Sequence, residues 1–159
     1  MEIKKLANKA LNFGLNRIIE IFGIIIAIFG FLLLISLISF SPDDPNFIFP
    51  ENTQIKNFLG FRGSFTSDLF FQSFGLIALL IPFSLILTGV NIFLNRRILL
   101  LIESFFYTIL YSLFGSLFFS FFYSKAYFLY INGNGGFVGL YLNKTFLSSL
   151  INFNTQFFY

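Results

Sequence analysis

The run from Ile21 to Ser41 contains no charged residue, and this constrains the chain more than any other feature. A helix of about 20 apolar residues, rising about 1.5 Å per residue, crosses the roughly 30 Å hydrocarbon layer of a bilayer. The run is followed by Pro42, which cannot continue a helix, and by two aspartates that are costly inside lipid. The sequence therefore predicts a membrane span over about residues 18–40, after which the chain leaves the bilayer.

Two further apolar runs follow the first. Residues 69–93 carry no charge, and residues 98–123 carry Glu103 as their one charged residue. Each run is long enough to span a bilayer with some tilt. The chain of 159 residues is 57% hydrophobic and 11% charged, which is more apolar surface than a soluble domain of this size buries in one core. The predicted fold class is all-α, a polytopic transmembrane helical bundle with three spans.

The basic residues indicate the orientation of this bundle. If the N-terminus is cytoplasmic, the short inside segments hold six basic residues and the longer outside segments hold four. The inside set is Lys4, Lys5, Lys9, Arg17, Arg96 and Arg97, and the outside set is Lys56, Arg62, Lys125 and Lys144. Because cytoplasmic loops carry an excess of Lys and Arg, we expect the N-terminus inside and, after three spans, Tyr159 outside.

The segments outside the spans have distinct patterns. Residues 1–17 read as a short amphipathic helix, which either lies among lipid headgroups or is a solvated leader that sets orientation. Residues 41–68 are rich in turn residues and form the predicted external loop. Residues 137–151 are apolar but have Lys144 near their centre, which favours an interfacial helix over a further span. The sequence therefore predicts two domains, which are the leader over 1–17 and a transmembrane domain over 18–159.

The third span carries a stripe of small hydroxylated residues at every fourth position, of which we single out Ser112, Ser116 and Ser120. In lipid, helices associate through close backbone approach and interhelical hydrogen bonds, and small residues four apart permit both. The stripe is therefore the predicted packing seam, with chance under a serine-rich composition as the alternative. The first span offers a matching seam at Gly23 and Ala27. In the second span, Pro82 is expected to kink the helix.

The sequence offers little for catalysis or cofactor binding. It has no Cys and no His, which removes thiolate nucleophiles, the usual zinc ligands and the most common general base. Asp43 and Asp44 are adjacent in a predicted solvated loop and are interpreted as turn residues. Glu20 and Glu103 lie near the cytoplasmic ends of their spans, where pairing with a nearby arginine is favoured over proton or ion handling. We expect no catalytic residue, no metal site and no cofactor.

Four short patterns, in order along the chain, match one known family. They are Phe40-Ser41-Pro42-Asp43-Asp44-Pro45-Asn46-Phe47, Asn57-Phe58-Leu59-Gly60-Phe61-Arg62-Gly63-Ser64, Asp68-Leu69 with Phe74-Gly75 leading to Pro82, and Gly135-Gly136-Phe137-Val138-Gly139. With these patterns the chain resembles the N-terminal four-helix membrane domain of the FtsK/SpoIIIE DNA translocases. The family-motif positions are Pro42, Asp43, Asp44, Pro45, Gly60, Gly63, Gly135, Gly136 and Gly139.

The resemblance implies a membrane anchor at the division septum of a bacterial inner membrane, involved in cell division and chromosome segregation. Its expected partners are membrane lipid, further copies of the chain and other division proteins, with no direct contact to nucleic acid. The family's fourth span, linker and ATPase motor have no counterpart in the predicted elements, so we expect no enzyme activity. The alternative function is a small pore-forming or transporter-accessory protein whose hydroxyl stripe lines water.

Overall fold

The computed structural model describes residues 2–45, 54–124, 129, 131–147 and 149, and within these ranges every regular element is helical. The long helices are α1 (Glu2–Ile38), α2 (Gly60–Phe74), α3 (Leu80–Asn95) and α4 (Leu99–Phe122). A 3-10 segment (Gly75–Leu79) joins α2 to α3. A short helix α5 (Gly136–Leu142) continues into a π turn (Asn143–Leu147). The all-α prediction is confirmed, and three helical stretches, Lys4–Ile38, Gly60–Asn95 and Leu99–Phe122, are long and apolar enough to cross a membrane.

Helix α1 is one continuous helix of 37 residues. At about 1.5 Å per residue it is roughly 55 Å long, well beyond the roughly 30 Å hydrocarbon layer. The predicted leader over 1–17 and the predicted span over 18–40 are therefore parts of one helix with no break between them. The helix ends at Ile38, because Pro42 disfavours helical angles in the residue before it.

The second long helix starts earlier than its hydropathy predicts. Helix α2 begins at Gly60, so residues 60–68 are helical and the predicted external loop over 41–68 is too long. Gly75 has φ +68° and ψ −148°, which breaks the helix inside the predicted span over 69–93. The prediction failed at this boundary because α2 mixes polar and apolar residues, and because a glycine with positive φ carries no hydropathy signal.

Helix α2 lies against the end of α1 and does not extend past it. The Ser36 hydroxyl donates a hydrogen bond of 2.7 Å to the carbonyl oxygen of Gly63. Further along α2, the Phe71 ring packs on Phe40 with ring centroids 4.8 Å apart. Because both contacts fall at the last turns of α1 or just after them, α2 covers that end of the bundle.

The irregular backbone near Pro82 lies before the proline. The 3-10 segment ends at Leu79, and Pro82 is the third residue of α3. In a continuous α-helix its ring would clash with the carbonyl of Ala78, four residues earlier, whereas in a first helical turn its missing N–H costs nothing. The expected kink at Pro82 is therefore replaced by a break that begins at Gly75.

Helices α1 and α3 form the most extensive pairing, and their backbones are in direct contact. A Cβ atom added to Gly23 would lie 2.7 Å from the carbonyl oxygen of Gly89, and one added to Gly89 would lie 2.5 Å from the backbone nitrogen of Ala27. Close approach of this kind is how small residues hold helices together in lipid. Gly23 and Ala27 therefore face α3, where Gly89 is their partner, and not the serine stripe of α4.

The bundle has two distinct ends. At the turn end, residues 96–98 connect α3 to α4, and Arg96 adopts the left-handed conformation with φ 53°. The buried Glu20 carboxylate accepts hydrogen bonds from Arg17 and, at 2.6 Å, from Nε of Arg96. At the loop end lie the end of α1, helix α2 and helix α5. Its core contains six buried apolar residues, Leu33, Leu37, Phe71, Ala78, Ile81 and Leu129.

The α1–α3 contact generates a first prediction. Replacing Gly89 by Ala should destabilise the protein by about 1–3 kcal/mol, because the added methyl group would meet the backbone of α1, which cannot move aside cheaply. The matched control is Gly14→Ala, because nothing lies within 4 Å of a Cβ atom at Gly14 and alanine is the better helix former. Unfolding in detergent micelles measures both changes. An equal loss of stability in the two variants would contradict the proposed contact.

Candidate functional site

The family-motif positions come together at the loop end in two clusters. We call the first the loop clamp, which consists of Ser36, Ser39, Asp44, Asn57 and Ser64. We call the second the glycine junction, which consists of Gly75, Asn134, Gly135, Gly136 and Gly139 with Ser116 beneath them. Helix α2 connects the two clusters, since it packs against both α1 and α5.

Asp44 closes the loop that follows α1. Its side chain accepts hydrogen bonds of 2.8 Å from the backbone N–H groups of Lys56 and Asn57, and the residue is only 3% exposed. A buried carboxylate held by two backbone N–H groups makes strong charge-assisted bonds. Asp44 does lie in a turn, because its N–H donates to the carbonyl oxygen of Ser41, but the expectation that it is solvated is wrong. The sequence could not reveal this burial, because the partners are backbone groups twelve and thirteen residues away.

Asn57 caps the end of α1 from outside the helix. Its side-chain amide donates to the carbonyl oxygens of Ser36, at 2.9 Å, and Ser39, at 3.3 Å. Ser36 lies in the last turn of α1 and Ser39 directly follows the helix, where no further helical N–H is available to these carbonyls. Its side-chain oxygen accepts from the backbone N–H of Leu59 at 3.1 Å. A Cβ atom at Gly63 would collide with that oxygen, so the amide fits because Gly63 has no side chain.

The remaining motif residues of this loop differ in exposure. Pro45 is buried, and its carbonyl oxygen accepts a hydrogen bond of 2.9 Å from the Ser64 hydroxyl. Pro42 and Asp43 are exposed. Asp43 forms an ion pair of 2.9 Å with Lys56, and its hydrogen bond and charge raise the pKa of that lysine. Because both side chains are exposed, this pair contributes little to stability.

Gly60 has a conformational role at the start of α2. It adopts φ +64°, and its N–H donates to the carbonyl oxygen of Asn57 at 2.9 Å. No atom lies within 4 Å of a Cβ atom at this position. The requirement for glycine here comes from the backbone angle and not from packing.

The glycine junction joins α2, α4 and α5 through backbone contacts. The N–H of Leu76 donates to the carbonyl oxygen of Asn134 at 2.9 Å, where the chain breaks after α2. Gly75 and Gly136 both have positive φ, and a Cβ atom on Gly136 would collide with the backbone nitrogen of Gly75. The Ser116 hydroxyl donates to the carbonyl oxygen of Phe74 at 2.9 Å. This bond satisfies one of the last carbonyls of α2.

The serine stripe of α4 lies beneath α5. Ser112, Ser116 and Ser120 are 2%, 0% and 4% exposed. A Cβ atom on Gly135 would lie 2.5 Å from the carbonyl oxygen of Ser116, and one on Gly139 would collide with the same atom. Helix α5 therefore folds back onto α4 with its glycines against the serines. Of the predicted interfacial helix over 137–151, residues 148, 150 and 151 lie outside the described residues.

The polar groups and glycines of the loop end contact other parts of the chain, which points to a structural role. Within the described residues no group of three His, Cys, Asp or Glu side chains could hold a metal ion. The Asp44 carboxylate is occupied by backbone donors, and the glycines are filled by neighbouring backbone. What the arrangement provides is an ordered surface on one side of the membrane, made from the end of α1, helix α2 and helix α5.

Several residues that position this surface were missed by sequence reasoning. Asn57 lies inside one of the family patterns, but the helix end that it caps is 21 residues earlier in the chain, so the local pattern does not reveal its role. Ser36 and Ser39 near the end of α1 were also available as polar positions in an apolar run. Gly89 was missed because a single glycine in a span does not say which helix it faces. Glu103, which was expected to pair with an arginine, has no ion pair among the described residues.

Comparison with known proteins relates the whole arrangement to one family. The family model described as the 4TM region of DNA translocase FtsK/SpoIIIE matches residues 16–157. Three curated relatives are each named DNA translocase FtsK. The protein of Rickettsia bellii is 36% identical over 69 residues, that of Rickettsia prowazekii 31% over 87, and that of Rickettsia typhi 33% over 85. No solved structure matches the chain.

The alignments cover part of each protein. They include 43%, 53% and 52% of this chain and 9%, 12% and 12% of the respective relatives. The chain thus spans a small fraction of the length of the curated relatives it matches.

The adjacent aspartates of the loop clamp allow a matched test. Replacing Asp44 by Ala should destabilise the protein by about 2–3 kcal/mol, because two backbone N–H groups, one buried and one partly buried, lose their acceptor. Replacing Asp43 by Ala should cost about 0.5 kcal/mol or less, because its ion pair with Lys56 is exposed. Unfolding of both variants in micelles gives the comparison. The role assigned to Asp44 is wrong if the two losses are alike.

Proposed function

Because the chain belongs to the 4TM region of the FtsK/SpoIIIE DNA translocase family, we propose that it acts as a membrane anchor at the division septum, in cell division and chromosome segregation. This region is the membrane domain of the family and not its ATPase motor. Three apolar helices and the family membership give it a location in the inner membrane. The proposed role is to hold a position and to present a surface, without pumping DNA.

This proposal rests on one observation, which is that the residues of the loop end are held in a defined arrangement by close contacts. The family-motif positions Asp44, Gly63, Gly135, Gly136 and Gly139 all make close contacts there. A protein that recognises partners at a fixed place benefits from a preformed surface, since less conformational entropy is lost on binding. We infer that the loop end contacts other division proteins, and that copies of the chain associate in the membrane. We assign no direct contact with nucleic acid to this chain.

The orientation we propose places the turn end in the cytoplasm. Its basic residues are concentrated in the first turns of α1 and in the α3–α4 turn, whereas the longer loop-end segments hold fewer. This asymmetry follows the positive-inside rule. The loop end, with its ordered surface, then lies outside the cytoplasm.

The alternative, a pore lined by the hydroxyl stripe of α4, has less support. The buried half of that stripe is in contact with protein, since Ser116 donates to α2 and Gly139 covers its carbonyl. In a single chain these hydroxyls are sealed from water. An anchor predicts that vesicles containing the protein retain their ions, whereas a pore predicts leakage.

A first experiment tests the orientation. The chain contains no cysteine, so single cysteines introduced at Lys144 and Arg97 are unique labelling sites. A membrane-impermeant thiol reagent added to whole spheroplasts should label Lys144→Cys, and should label Arg97→Cys only after the membrane is permeabilised. Both side chains are exposed, so the labelling reports sidedness and not burial. The reverse pattern would mean that the turn end faces outward.

A second experiment tests the septal role. The full chain, fused at its N-terminus to a fluorescent protein, should be enriched at midcell in dividing bacteria. The Asp44→Ala variant should stay in the membrane but lose this enrichment, because the loop end loses its shape, whereas Asp43→Ala should keep it. A uniform membrane distribution of the unchanged chain would refute the septal role.

A further inference from the structure

A polar groove runs along the outside of the α3–α4 pair, in the half nearer the turn end. It has a volume of about 290 Å³. Asn91, Glu103 and Tyr107 line it and are exposed. At its floor the Ser84 and Tyr111 hydroxyls are 2.9 Å apart, and the Thr88 and Ser104 hydroxyls are in hydrogen-bond contact. A groove this polar is unusual on the surface of a membrane span.

The contacts between the helices set the depth of this groove in the membrane. Thr88 pairs with Ser104, and each is eight residues from Arg96 along the chain. At about 1.5 Å per residue, Glu103 therefore lies roughly 10 Å below the turn, about a third of the way across the hydrocarbon layer. Glu103 is deeper than Glu20, which is level with Arg96 and bonded to it.

The two acidic residues have opposite surroundings. Glu20 is buried and holds two guanidinium groups, those of Arg17 and Arg96. Glu103 is exposed, and none of the ion pairs among the described residues involves it. Helix α4 is also the least covered span, with 17% of its most apolar stretch buried. A carboxylate at this depth is costly against lipid, and such residues face a partner or a water-filled cavity.

We propose that this groove is the docking surface for a transmembrane helix of another protein that carries a lysine or arginine at the depth of Glu103. The cation would pair with the Glu103 carboxylate, while Asn91 and the groove hydroxyls would accept or donate further hydrogen bonds to the same helix. Polar side chains of this kind bind helices to one another in membranes. This inference does not depend on the septal role.

Charge complementarity favours another protein over a second copy of this chain. A second copy in the same orientation would present its own Glu103 at that depth, and two carboxylates would repel. Of the basic residues near the turn end, Arg17 and Arg96 are bonded to Glu20 and Arg97 lies at the turn itself. Lys4, Lys5 and Lys9 precede Arg17 on α1 and so lie still farther from the groove. No basic residue of the described spans lies level with Glu103. The described part of this chain therefore offers no cation for the groove.

The experiment uses the full chain in phosphatidylcholine vesicles, with a fluorescent donor on the chain and an acceptor on a synthetic helix. The probe is a Leu/Ala peptide of roughly 20 residues with one lysine about seven residues from one end, and the control peptide has leucine in place of that lysine. Energy transfer should show that the lysine peptide binds at least about tenfold more tightly. Glu103→Gln should remove this preference. Asn91→Leu should weaken binding of the lysine peptide.

A variant that moves the charge provides the sharpest control. Ile102 is exposed and adjacent to Glu103, so Ile102→Glu combined with Glu103→Gln keeps one carboxylate at the same depth but turns it about 100° away from the groove. This double variant should fail to bind the lysine peptide, and its helical content should match that of the unchanged chain. The proposal is overturned if the double variant binds as well as the unchanged chain, or if both peptides bind equally. Self-association that requires Glu103 in the absence of peptide would identify a second copy as the occupant and would also overturn it.

Discussion

The structure depends on the direct contact between the backbones of α1 and α3. In lipid, apolar side chains gain little by leaving the acyl chains, so helices are held by close packing and by polar contacts. Gly23 and Gly89 allow the two backbones to approach until no Cβ atom would fit between them. This contact fixes the register of α3 against α1. It thereby brings Arg96 to Glu20 at one end of the pair, and α2 to the last turns of α1 at the other.

The last backbone carbonyls of a helix have no hydrogen-bond partner within the helix, and at the loop end other parts of the chain supply these partners. The Asn57 amide reaches the last turn of α1, and the Ser116 hydroxyl reaches the last turn of α2. Both donors come from other parts of the chain, so each cap also joins two elements. Because they have no side chain, Gly63 leaves room for the Asn57 amide and Gly139 for the backbone carbonyl of Ser116. The motif residues of the family therefore act as structural residues here, and the shape they produce is what a partner would recognise.

The two acidic residues of the spans have different roles: Glu20 stabilises the fold, and Glu103 is the residue that we propose for partner binding. The fold satisfies Glu20 fully, with one arginine from its own helix and one from the α3–α4 turn. Helix α4, whose buried residues among those described are Ser112, Ser116 and Ser120, leaves Glu103 in an open groove with hydroxyl neighbours. The charge of Glu20 is paired within the bundle, whereas Glu103 is exposed along one span. This arrangement fits a domain that binds other membrane proteins.

The sequence by itself determined that the chain is helical, that it has three long apolar stretches and that its charges are unevenly distributed, because these properties depend on local composition and on the thickness of the bilayer. The family was also recognisable from the order of short motifs around Pro42, Gly60 and Gly135. Only the tertiary structure decided that α2 begins at Gly60, that Asp44 is buried and that Gly23 faces Gly89. Those features depend on contacts between residues distant in the chain, and on backbone angles of glycines, neither of which leaves a pattern in hydropathy or charge.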